Sequence, residues 1–221
     1  AQAAFASLRK PGWHGLGTTF DEPVSTPEML ELANLANWNV RLIDVSLLTE
    51  DINFDAITPF LTVRDNPFVD GQVDALGVVG ERYNVFQNDE LFDFGDALLA
   101  GGGRWETAGS IRNGRQVFAS AEFGDNTVVL DPNGRADTVK VYLVLTTSHD
   151  GSVSITAAVS PVRPECSNML SWALSSARRT YKFRHTQTAQ GRVQDARNAL
   201  GVQIAYMDEF SKEANELIQA E

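Results

Sequence analysis

A chain of 221 residues, 43% of them hydrophobic, is long enough to bury one large core, and its longest apolar runs, such as 139–147, are of strand length. They fall far below the roughly 18 to 20 residues that a membrane-spanning helix requires. A net charge of −11 and a pI near 4.7 exclude indiscriminate adhesion to nucleic acid or anionic lipid, because a polyanion is attracted only by local positive potential, and the single cysteine, Cys166, excludes an internal disulfide.

The first residues hold a Lys/Arg pair with no apolar stretch behind it, so no secretory signal is expected. Trp13-His14-Gly15-Leu16-Gly17 predicts a packed turn, since the glycines permit tight backbone around bulky rings. Thr26 as N-cap and Pro27 at the first helical position open a short helix, with Met29, Leu32, Ala33 and Ala36 on one face and an end near Asn37. Alternation over 38–48 and strand candidates at 60–64 and 73–79, separated by Asn66-Pro67 and Asp70-Gly71, predict an antiparallel meander. Asn88 is the expected cap of a second helix, with Asp89 and Glu90 in its first turn and Leu91, Phe94, Leu98 and Leu99 as its apolar stripe. Gly101-Gly102-Gly103 follows that helix and lacks the Lys-Ser/Thr of a Walker motif, so it reads as a helix terminator, not a phosphate loop.

Asn113-Gly114 predicts a hairpin joining 105–111 to 115–123. Residues 128–130 should lead through Asp131-Pro132-Asn133-Gly134 into a strand over 139–147, which Asp150-Gly151 turns back as 152–159. After Pro161 and Pro164, a helix is expected to align Cys166, Met169, Leu170, Ala173, Leu174, Ala177 and Tyr181 on one stripe, with Ser171, Ser175, Arg178 and Lys182 on another face. Apolar positions at Val193, Ala196, Leu200, Ile204, Met207, Leu217 and Ile218 predict a long C-terminal helix. The expected fold is α+β: an antiparallel sheet built from hairpins with packed helices, one domain over 1–186, and a C-terminal helix over 187–221 that serves homo-oligomeric assembly.

Charge is not spread evenly. Residues 162–197 hold seven basic side chains against Glu165 and Asp195, a net charge of +5 in a chain of −11. Arg163, Arg178, Arg179, Lys182, Arg184, His185 and Arg192 are candidate phosphate partners, and Tyr181, Phe183 and Trp172 candidate stacking surfaces, because a single-strand groove combines cations with aromatic faces. The bland alternative is a solvated helix end whose cations complement the dipole and the abundant carboxylates.

Four ordered strings, Trp13-His14-Gly15-Leu16-Gly17, the 80–88 string GERYNVFQN, His149-Asp150-Gly151-Ser152, and Arg163-Pro164-Glu165-Cys166-Ser167-Asn168-Met169-Leu170 followed by Arg184-His185-Thr186, resemble the phage/plasmid-like proteins catalogued as domain-of-unknown-function family 932. The resemblance implies a mobile element, hence a bacterial cytoplasm, and raises the expectation of a DNA transaction. The leading expectation is therefore a phage or prophage protein that binds single-stranded DNA, in the manner of strand-annealing recombination proteins, with no cofactor, no metal and no membrane partner. A phage structural or protein-interaction module is the second expectation. A cysteine hydrolase is the third, with Cys166 as nucleophile, His149 or His185 as base and Asn168 as orienting group. A metal site would require the fold to gather His14, His149, His185 and Asp150, no two of which have ligand spacing on one element.

Overall fold

Strands β10 (Tyr142–Ser148) and β11 (Ile155–Ser160) are buried along their entire lengths. Such strands need cover on both faces, and alternate side chains divide between two apolar clusters. Leu143 and Leu145 join one cluster, Tyr142 and Val144 the other. The same split places Val117 and Ala119 opposite Phe118 on β7 (Gln116–Glu122), and Ala4 and Ala6 opposite Phe5 at β1 (Phe5–Leu8). These strands form the centre of a seven-stranded sheet, completed by β2 (Thr18–Phe20), β6 (Trp105–Ile111) and β12 (Thr180–Phe183), in the order β12-β11-β10-β7-β6-β1-β2. All neighbours are antiparallel except β1 and β2.

The larger cluster is closed by α1 (Thr26–Leu32) and α2 (Asn88–Leu98), through Met29, Leu91, Phe92 and Phe94. The smaller is closed by α3 (Ser167–Ser176), through Leu170 and Ala173. A second, antiparallel sheet contains β3 (Arg41–Asp44), β4 (Pro59–Asp65) and β5 (Val73–Gly80), and a separate hairpin pairs β8 (Thr127–Leu130) with β9 (Ala136–Val139). This computed structural model describes residues 2–12, 15–49, 51–54, 56–99, 104–123, 127–130, 136–177, 180–186 and 190–200.

The α+β class and the hairpins at Asn113-Gly114 and Asp150-Gly151 match the sequence expectation. Several boundaries differ. The N-cap of α1 is Ser25, whose amide and hydroxyl both donate to Glu28, while the Thr26 hydroxyl turns inward, donating to Asp96 and accepting from the Trp105 indole. The helix ends at Leu32 because Asn34, Asn37 and Asn39 take positive φ angles of 52°, 57° and 46°, a region asparagine tolerates better than most residues. The cap of α2 is Gln87, which leaves Asn88 inside the first turn and buried. Val139 belongs to β9, not to the strand that follows it.

The largest departure concerns 177–186. A continuous helix carrying Tyr181 in line with Cys166 is not what forms: α3 stops at Ser176 and β12 begins at Thr180. Thr-Tyr-Lys-Phe is β-branched and aromatic, so it suits a pleated surface, and Phe183 fits into the larger cluster only with a period of two. At the end of α3, the Ser175 and Ser176 hydroxyls donate to the carbonyls of Trp172 and Ala173, competing with helical propagation.

The glycine triplet, the 131–134 turn, Trp13, His14, Arg178, Arg179 and residues 201–221 lie outside the described residues. Of the expected C-terminal helix, 193–200 is described as helical, and there Ala196 and Leu200 are buried in the larger cluster. The core thus continues past residue 186.

Candidate nucleic-acid interface

Strand β12 is an outer strand of the large sheet, paired through Thr180–Ala158, Tyr181–Ala157, Lys182–Thr156 and Phe183–Ile155. Alternation sends Phe183 inward, where its ring meets Phe86 and Phe94 edge-on, and leaves Tyr181 half-buried on the same side. Lys182 and Arg184 are exposed, and neither has an acidic partner among the described residues. On α3, Trp172 is 61% exposed, an unusual position for the largest side chain of a helix whose opposite side is in the core.

The remaining sequence candidates are placed differently. Arg163 is not an open phosphate partner: its guanidinium pairs with Glu106 at 3.1 Å and with Glu165, and also reaches the Leu8 carbonyl. Burial works against its charge, but the two carboxylates outweigh that and raise its pKa. His185 is buried, stacked on Tyr83 with ring centroids 4.8 Å apart. Phe183 is a core residue and offers no stacking face. Arg192 lies 3.6 Å from Asp195. Arg178 and Arg179 fall outside the described residues, in the short connection between α3 and β12.

What fixes the C-terminal end of β12 is a buried polar cluster that holds His149 and His185, named in the sequence as candidate bases or metal ligands. His185 Nε2 lies 3.1 Å from the Val153 carbonyl and 3.4 Å from Thr147 Oγ1, while the His185 carbonyl accepts from the Asn84 amide. The Tyr83 hydroxyl donates to the Ser148 carbonyl. The next residue, His149, is fully buried, with Nε2 3.0 Å from Asn88 Oδ1, while Asn88 Nδ2 donates to the Leu35 carbonyl. Asn88 therefore offers only its oxygen to His149, and the imidazole carries its proton on Nε2. His149 Nδ1 is left without a partner among the described residues.

The electrostatics follow from this burial. Desolvation lowers the His149 pKa to about 3, with His185 and Arg64 adding to the effect. Desolvation also lowers His185, and it raises the Tyr83 phenol, where Asp150 acts in the same direction. At neutral pH the cluster is uncharged, so it anchors backbone and contributes no positive potential. Its members Tyr83, Asn88, His149 and His185 come from three of the four strings that carried the family resemblance. Those strings were legible as motifs, but nothing in their spacing along the chain revealed that they converge.

Cys166 is the N-cap of α3, half-buried, with its sulfur accepting from the Met169 amide; it is not on the buried stripe expected of it. It lines a cleft that neither His149 nor His185 lines. Among the described residues there is no group of three or more His, Cys, Asp or Glu side chains able to hold a metal, and no helix long and apolar enough to cross a membrane.

Residues 75–221 fit the model of a family described as Domain of unknown function (DUF932). No curated protein and no solved structure matches the chain.

Proposed function

The chain belongs to the DUF932 family, whose description assigns no activity, and we propose that it binds single-stranded DNA along the edge formed by β12 and the outer face of α3. The observation that supports this reading is the pair Lys182 and Arg184, both exposed on an outer strand and without an acidic partner among the described residues, in a chain that is otherwise strongly acidic. Phosphates would meet these two cations and Arg178 and Arg179 of the adjoining connection, and Trp172 would offer a face on which a base stacks. The sequence resemblance to phage/plasmid-like proteins supports reading this activity as part of a mobile element in a bacterial cytoplasm, where copies would assemble through the segment after residue 186 and strand annealing would be the outcome.

The test is fluorescence anisotropy with a labelled single-stranded oligonucleotide. Lys182→Glu with Arg184→Glu should weaken binding by about tenfold or more, and the dependence of log affinity on log salt should flatten by about 0.7 per lost contact. Binding that is absent at low salt, or that the double variant leaves untouched, sinks the reading and favours a protein-interaction module.

A further inference from the structure

A cleft of about 990 Å³ lies away from β12. It runs between the first turn of α3, the turn at Arg112–Gly114 and the second sheet at Arg64 and Asp74. Its volume is at the upper end of the range that small-molecule sites occupy. Phe5, Phe68 and Ile111 supply apolar wall, and Ser167, Asn168 and Ser171 supply hydroxyl and amide groups from α3.

Two independent features of this cleft suit an anion. The first is the start of α3, a ten-residue helix whose N-terminus carries the positive end of the dipole. The Met169 amide is capped by Cys166 Sγ and the Leu170 amide by the Cys166 carbonyl. The amides of Ser167 and Asn168 have no acceptor among the described residues, and both residues are exposed in the cleft. The second is Arg64, which lines the cleft although it is only 7% exposed. Its Nε and Nη2 are taken by Asp74, its guanidinium carbon lies 3.9 Å from the centroid of the Trp38 ring, and its Nη1 has no hydrogen-bond partner among the described residues. A buried donor of this kind costs about 1 to 3 kcal/mol when left unmade. That Nη1 sits against Gly114 in the cleft wall, where a Cβ would come within 2.6 Å of it.

The charges around the cleft favour the same ligand. Both lining carboxylates are already committed, Asp74 to Arg64, Asn66 and Gln72, and Glu165 to Arg163. Arg112, exposed on the hairpin turn, is the cation that no described acid neutralises. From the free first-turn amides, the unpartnered Arg64 donor beneath Gly114 and the exposed Arg112, we infer that this cleft binds a phosphate monoester, whose dianion and three terminal oxygens match several donors at once. The apolar walls would take the organic part. None of the side chains named for the DNA reading lines this cleft, although both use α3, so separate variants distinguish the two.

Amide-resolved NMR of the full chain tests it, with inorganic phosphate, thymidine 5′-monophosphate and unphosphorylated thymidine as probes. The Ser167 and Asn168 amides should shift saturably with both phosphates and not with thymidine. Asn168→Glu places an anion at the helix start and Arg112→Asn removes the free cation while keeping a residue that tolerates the positive φ of 54° at that position. Each should weaken phosphate binding by about tenfold or more without lowering the melting temperature. Arg64→Lys keeps the charge but removes Nη1 and should also weaken it. An equal response to thymidine, no saturation, or affinity unchanged in Asn168→Glu overturns the inference. Paired oligonucleotides with and without a 5′-phosphate identify the source: a preference for the phosphorylated end that Asn168→Glu abolishes assigns the site to strand termini, and equal binding alongside a saturable monophosphate response assigns it to free phosphorylated metabolites.

Discussion

Arg163 and Glu106 lie 57 positions apart in sequence, yet they meet because the β6–β7 register shifts between Trp105 and Thr107. The Glu106 side chain is 1% exposed, so removing Arg163 leaves a desolvated carboxylate that only the more distant Lys140, at 3.7 Å, still faces. Arg163→Ala should therefore destabilise the fold by about 3 to 5 kcal/mol in urea unfolding, and Glu106→Gln added to it should recover a substantial part. A pure phosphate contact, which the sequence suggested for Arg163, would leave stability unchanged. His149 supports a second expectation with a definite sign. Its folded pKa of about 3 lies below the unfolded value of about 6.5, so below pH 6.5 the unfolded chain takes up a proton that the folded one refuses. Stability is complete above pH 6.5 and falls by up to about 1.4 kcal/mol per pH unit as the pH drops toward 3. His185, also lowered, contributes with the same sign. Between pH 7.5 and 5.5, before most carboxylates titrate, His149→Gln should flatten the slope of unfolding free energy against pH; an unchanged slope would show that another group carries it. Single residues were the least legible scale, because a side chain's partner depends on strands that are distant in sequence.

Elements were legible where their cause is local. The Asn113-Gly114 hairpin turns on these two residues, whose positive φ of 57° and 88° is written in the dipeptide, while the third positive φ, 54° at Arg112, is not. β12 could not be read this way, since its strand form depends on pairing with β11 and on a socket for Phe183 between α2 and the sheet. The early end of α1 is intermediate: the asparagines were visible, but which of them would take the left-handed conformation was not. Helix α2 gives an expectation that reverses ordinary helix propensity. Gly95 faces the sheet so closely that a Cβ would come within 2.6 Å of both Leu145 and Trp105. In an exposed helix, Gly→Ala stabilises by about 1 kcal/mol; here, Gly95→Ala should destabilise by about 1 to 3 kcal/mol, because fully buried neighbours must shift. Thermal melts of the variant decide the sign.

For the molecule as a whole, the sequence conveyed class but not order. Runs of apolar residues flanked by turn dipeptides were enough for an antiparallel α+β fold, and the two-sided burial of β10 and β11 follows from strands built only of apolar side chains and small hydroxyls, with no charge on either face. The arrangement β12-β11-β10-β7-β6-β1-β2 needed the pairing itself. That order has a consequence in time. β1 is the earliest strand in the chain, yet it sits between β2 and β6 in the sheet, with Phe5 opposite Gly109. On a ribosome adding about 5 to 20 residues per second, β1 waits roughly 5 to 20 seconds for that partner to be made. Until then its apolar side chains and half of its backbone hydrogen-bonding groups have no native place to go, so closure of the large sheet is a late, long-range event. The nascent chain is thus vulnerable to misassociation at β1, and a chaperone that shields this strand until β6 is made would raise its yield.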